Sequence, residues 1–140
     1  MDVSGILRVK DRCTPTKTRF LAGWAHTVGQ QVLRVDYEPQ SPLPAEAQKK
    51  LRQSFVSAMK HADALAISDY GFGGASPALV REIVMKRKKP LPVTLDARYH
   101  LHEYRRAGIT AATPNEAELE EQHHAAIGQN LSALASSGLA

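Results

Sequence analysis

The sequence predicts an α/β fold, a mostly parallel sheet covered by helices, with an antiparallel hairpin ahead of it. Two observations carry this. From residue 44 onward, short apolar runs alternate with segments of helical periodicity, the pattern of strands joined by right-handed crossovers. Before residue 42 the grammar differs: TRFLAG (18–23) and QQVLRVDYE (30–38) read as strands, with Leu33, Val35 and Tyr37 alternating with Arg34 and Asp36.

The elements follow in order. The two early strands form a hairpin whose connection, WAHTVG, contains Trp24 and His26 and exceeds the tightest turns, as a functional or a mobile loop tip would. SPLP (41–44) is punctuation, because proline blocks helix continuation yet is tolerated at a first helical position. Leu51, Phe55, Ala58, Met59 and Ala62 recur at steps of three and four, so 45–62 is an amphipathic helix. ALAIS (64–68) is a short buried strand. Ser76 and Pro77 suit the N-cap and first position of a helix over 77–89, striped by Leu79, Val80, Ile83 and Val84. LPVTL (91–95) and ITAAT (109–113) are the next strands, and a last helix spans 114–127. The tail, 128–140, is small and polar enough to fray.

Composition narrows the function classes. A chain of 140 residues, 43% hydrophobic and 23% charged, suits one soluble domain, and no apolar run is long enough to cross a bilayer. The start lacks a leader pattern and Cys13 is the lone cysteine, so a reducing cytoplasm is expected. Net charge is +4, much of it from KRKK (86–89), which complements the end of its own helix. Nucleic-acid binding would need an aromatic platform or a recognition helix as well, and is not expected. His100, His102, Glu103, His123 and His124 lack spacing that gathers several ligands around one metal.

The candidate site comes from what ends each strand. Asp69 follows the first parallel strand, Asp96 and Arg98 the second, Asn115 the third, and ligands of open α/β sheets bind beyond the carboxyl ends of the strands. Local turn formation by Asp and Asn is the competing explanation. Thr113, Pro114 and Glu116 make a T-x-x-E capping pattern, leaving Asn115 and Glu118 on one helix face near the positive end of the dipole. Such a pair can meet a phosphate and a hydrated Mg²⁺, although spacing alone favours Glu118 merely complementing the dipole. SDYGFGGAS (68–76) approximates a dinucleotide fingerprint. However, Ser76 replaces the third glycine, and two residues separate the strand from the turn.

The motifs DVSGIL, TPTKTRFLAG, HTVGQQVLRVDYE, ADALAISDYGFG, VTLDARY and TAATPNEAELE, in this order, resemble the middle of ribokinase-like (PfkB) carbohydrate kinases, most of all the heptose 7-phosphate kinase domain of ADP-heptose synthases. The resemblance covers residues 2–127 and implies an incomplete three-layer α/β sandwich, residues 1–40 forming the lid hairpin and 44–127 the α/β units. It also implies ATP and Mg²⁺ as cofactors and a sugar or sugar phosphate as acceptor. TPNEAE matches the family's N-x-x-E motif, placing Asn115 near the nucleotide phosphates and Glu118 with the hydrated metal, while Arg34, Asp69, Asp96 and Arg98 fall on the sugar side.

The departures are equally specific. Phe72 follows SDYG where lysine or a small residue is usual, and Asp96-Ala97-Arg98 stands where D-P-[KR] is common. The glycine-rich N-G-G segment and the G-A-G-D motif with its catalytic aspartate have no counterpart, so no catalytic base is assigned. Two functions follow: a carbohydrate kinase module needing further segments, or an inactive remnant that binds nucleotide weakly. In either case an unpaired sheet edge favours a homo-oligomer or a complementing chain.

Overall fold

The computed structural model describes residues 2–24, 28–87 and 89–123. It divides into two units, the stretch 8–42 and the remainder. No helix among the described residues is long and apolar enough to cross a membrane.

The smaller unit is the expected hairpin. β1 (Thr16–Ala22) and β2 (Gln30–Tyr37) pair antiparallel, with a register irregularity between Phe20 and Leu21. Residues directly opposite share a face, so Phe20 meets Leu33 and Lys17 meets Asp36. The Lys17 ammonium lies 2.8 Å from Asp36 Oδ2 and the Arg34 Nε 3.0 Å from Asp36 Oδ1. The hydrogen bond from Lys17 is the main cause that holds the Asp36 carboxyl below its usual range. The tip, including His26, lies outside the described residues.

The larger unit alternates helix and strand. α1 (Ala45–Ala58) is followed by β3 (Leu65–Asp69), α2 (Pro77–Met85), β4 (Val93–Ala97), a single 3₁₀ turn (Leu101–Tyr104), β5 (Ala111–Ala112) and α3 (Glu116–His123). The sheet is parallel in the order β3-β4-β5. Ser76 caps α2 through its Oγ, which accepts from the Leu79 amide at 3.4 Å, and Pro77 takes the first position. Both roles match the sequence expectation. α1 ends at Ala58, short of residue 62, because the Lys60 and His61 amides turn back onto Ser57 and Ala58. β4 runs two residues later than expected, so Asp96 is inside the strand instead of beyond it.

The core lies on one face of the sheet. Ile67 of β3 and Val93, Leu95 and Ala97 of β4 are buried against Val80 and Val84 of α2, with Tyr104 and Ala107 closing the cluster. The opposite face, Ala66, Ser68, Thr94 and Asp96, is exposed. α1 buries no residue completely; its half-buried stripe is Leu51, Ser54, Phe55 and Met59, and Arg52 ion-pairs with Glu82 of α2.

Gly108 has the least room for a side chain among the described glycines. Its φ of +74° lies in the left-handed region, and a Cβ there would stand 2.8 Å from Val84 Cγ1. Gly108→Ala is therefore expected to destabilise the chain by about 1–3 kcal/mol, read as a fall in thermal midpoint. An unchanged midpoint would contradict this packing.

Candidate functional site

The register fixes which residues share the carboxyl edge of the sheet. Ser68 pairs with Asp96 and Asp69 with Ala97, while Leu95 pairs with Ala112. Beyond the formal strands the ladder continues: the Arg98 amide donates to the Asp69 carbonyl at 3.0 Å and the Thr113 amide to the Leu95 carbonyl at 3.0 Å. The ends of β3, β4 and β5 thus open on one edge, and α3 starts there. Side-chain alternation splits the two aspartates, however. Asp69 lies on the buried face with Ile67, and Asp96 on the exposed face with Ser68.

Asp69 is the one buried charged or polar residue among those described, at 8% exposure. Its Oδ1 accepts from the Gly71 amide at 2.9 Å, a bond across two residues that turns the chain out of β3. Its Oδ2 accepts from the Tyr104 hydroxyl at 2.5 Å, and the same hydroxyl hydrogen is shared with the Ala75 carbonyl. Both carboxylate oxygens are engaged, as a buried charge requires. Tyr104 therefore fastens the loop after β3 to the 3₁₀ turn after β4. Sequence reading missed it; the local hint was an aromatic hydroxyl inside the largely polar HLHEYRR.

Beside this node lies a cavity of about 500 Å³, lined by Leu51, Phe55 and Ala58 of α1, by β3, and by Tyr70, Phe72 and Gly74 of the loop. The loop that imitated a dinucleotide fingerprint thus forms a mainly apolar wall. Gly71 sits at φ +77° with its missing side chain facing the Tyr99 ring, and Arg98 stacks over that ring at 5.5 Å. Arg98 is exposed.

The start of α3 differs from the expected cap. The N-cap is Asn115 and its partner is Glu118, in place of Thr113 and Glu116. The Asn115 amide donates to Glu118 Oε2 at 2.9 Å, the Asn115 side-chain nitrogen to Oε1 at 2.8 Å, and the Glu118 amide to Asn115 Oδ1 at 2.9 Å. This is a reciprocal capping box. Thr113 stays with the sheet, its amide and Oγ1 both directed to the Leu95 carbonyl. The capping bonds use one acceptor position on each carboxylate oxygen, and a carboxylate offers about four. Glu118 accordingly keeps capacity for water or a hydrated cation while the cap is intact.

Among the described residues no three His, Cys, Asp or Glu side chains are placed to hold a metal ion together. A Mg²⁺ at this edge would be held through its water and the phosphates, as suits an ion that dehydrates reluctantly. Arg34 belongs to the hairpin unit, where it is paired with Asp36.

The chain has relatives of known name. It is 34% identical over 122 residues to the bifunctional protein HldE of Gluconobacter oxydans, covering 86% of this chain and 24% of the relative. The HldE of Helicobacter pylori is 33% identical over 124 residues, 89% of this chain and 26% of that one. The HldE of Wolinella succinogenes is 32% identical over 122 residues, 86% and 24%. No family model and no solved structure matches. The chain belongs to the ribokinase-like (PfkB) carbohydrate kinases, through the heptose 7-phosphate kinase domain of the HldE proteins. It spans about a quarter of the length of the curated relatives it matches.

Burial pushes the Tyr104 hydroxyl pKa above its ordinary value, and the bond to Asp69 adds to this. The folded state then holds that proton more tightly than the unfolded chain, so the stabilisation is complete below the ordinary tyrosine value of about 10 and is lost as pH rises beyond it. Tyr104→Phe should lower stability near neutrality by about 1–3 kcal/mol, by stranding Asp69 Oδ2 and the Ala75 carbonyl. Urea unfolding of both proteins near neutrality and at about pH 10.5 should show the gap narrowing at the higher pH. A constant gap would contradict the assignment.

Proposed function

We propose that the chain is the nucleotide-side part of a carbohydrate kinase that transfers the γ-phosphoryl of ATP to a hydroxyl of a sugar phosphate, with D-glycero-D-manno-heptose 7-phosphate as the acceptor. The observation that carries this reading is the Asn115–Glu118 box, standing at the positive end of α3 on the carboxyl edge of a parallel sheet. Backbone amides and a helix dipole favour phosphate there. Asn115 gives its second side-chain amide hydrogen to the nucleotide phosphates while the first stays on Glu118, and Glu118 accepts from water on the Mg²⁺ that neutralises them. Asp96 and Arg98, exposed at the end of β4, serve the acceptor side, and Arg34, in the separate hairpin unit, is assigned to the sugar by the resemblance alone. Asp69 contributes by fixing the loop after β3. The reaction belongs to a fuller protein with a third layer over the exposed face of Ala66, Ser68 and Thr94, at work in the cytoplasm.

One observation favours the second reading, a nucleotide-binding module without turnover. Asp69 is 8% exposed, and its two oxygens face the Gly71 amide and the Tyr104 hydroxyl, so burial keeps it from an incoming acceptor hydroxyl and its proton. Under this reading nucleotide binding survives and transfer does not, and association with a complementing chain restores it.

Glu118→Gln separates capping from metal handling, because glutamine also serves in a capping box. Titration calorimetry with Mg²⁺-ADP should show binding weakened by about tenfold or more, with the melting temperature close to that of the parent. Equal binding by parent and variant would remove the role given to Glu118.

A further inference from the structure

The amino-terminal edge of the same sheet carries a second concavity that phosphoryl transfer leaves unused. It measures about 700 Å³ and is walled by the ends of α1 and α2 and by the segments entering β3 and β4. Its apolar floor is Val56, Met59, Ile83 and Leu91. Around the floor stand Lys60, Lys86, Arg87 and Lys89, against the carboxylates of Asp63 and Glu82. Glu82 is already committed, since it accepts from Lys86 at 2.9 Å and ion-pairs with Arg52. Those bonds, Lys86 first, hold its carboxyl below the usual range.

Cations near helix C-termini complement the dipole, and that accounts for Lys86 at the C-cap of α2. It does not account for Arg87. One guanidinium nitrogen, Nη1, is sealed from water and has no hydrogen-bond acceptor. It is tucked in near Gly108, where a Cβ would stand 3.7 Å from it. A half-buried guanidinium without an acceptor carries an uncompensated desolvation cost. An anion held by the exposed part of the group would offset that cost, and Lys60 and Lys89 line the same concavity from two other segments. Charge on the rim and an apolar floor together select a ligand with both characters.

We propose that this pocket binds a small organic phosphate, its phosphate held by Arg87, Lys60 and Lys89 and its apolar or planar body resting on Val56, Met59, Ile83 and Leu91. The site lies on the edge opposite Asn115 and Glu118, so it is separate from the proposed nucleotide site and suits an effector more than a reactant.

Phenyl phosphate is a direct probe, with inorganic phosphate and phenol as its two halves. Calorimetric titration of the 140-residue chain should show saturable phenyl phosphate binding, tighter than either half and weakened by added salt. The double variant Lys60→Gln/Lys89→Gln, at exposed positions, should bind at least about tenfold more weakly, since the loss of even one charge-assisted hydrogen bond has that effect. Arg87→Gln should lose binding while retaining a cooperative melt. Asn115→Ala should bind phenyl phosphate as the parent does, which keeps this outcome apart from that of the nucleotide site. Absence of saturation at about 10 mM phenyl phosphate, a range where even weak specific sites fill, would overturn the proposal. So would equal affinity in the parent and the double lysine variant, or loss of binding in Asn115→Ala.

Discussion

Parallel pairing of β3, β4 and β5 is the constraint on which the rest of the larger unit depends. Strands that run the same way need a return segment between them, and the returns here are α2 and the 3₁₀ turn region. Every strand then ends on one edge and begins on the other. The chain consequently has two chemically distinct edges: one with Asp69, Asp96 and the start of α3, the other with helix C-termini and cations. A one-residue slip of β4 against β3 would turn Leu95 outward and Asp96 into the α2 interface. The burial of Val93, Leu95 and Ala97 against Val80 and Val84 resists that slip.

Structural and chemical roles overlap in the carboxylates at the carboxyl edge. Asp69 is buried with a protein donor on each oxygen, and its effect is to hold loop geometry through Tyr104 and Gly71. Glu118 is bonded to Asn115 yet half exposed, so its capping duty and an interaction with hydrated metal are compatible. By closing its own helix the motif is pre-organised for the phosphate proposed above, because neither side chain has to be ordered by the ligand. The cap and the proposed site are one object.

Legibility in the sequence followed the range of the interactions. Ser76 and Pro77 were readable because a cap is decided within four residues, and the hairpin because alternation is decided within eight. The α3 cap was misread although its pattern was visible: Thr113-x-x-Glu116 and Asn115-x-x-Glu118 overlap, and both satisfy the same rule. What decides between them is the Leu95 carbonyl, eighteen residues from Thr113, which keeps Thr113 in the sheet. Tyr104 escaped for the same reason, since its partner Asp69 lies thirty-five residues away. The rim of polar residues was readable as an edge, but the face each residue takes required the strand limits. A two-residue error in β4 is enough to move Asp96 from loop to strand. The family was readable from ordered motifs, because QQVLRVD, SDYG and TPNEAE keep their order across the chain.

The central claim is that the common carboxyl edge of the three parallel strands receives the nucleotide phosphates. Amide chemical shifts of the ¹⁵N-labelled chain, followed during titration with Mg²⁺-ADP, test it most directly. The account predicts the largest changes at Asn115, Glu116, Ala117 and Glu118, with smaller ones at Asp96 to Arg98 and little change at Lys60 or Leu91. Changes confined to the amino edge, or none at the start of α3 at saturating nucleotide, would contradict it.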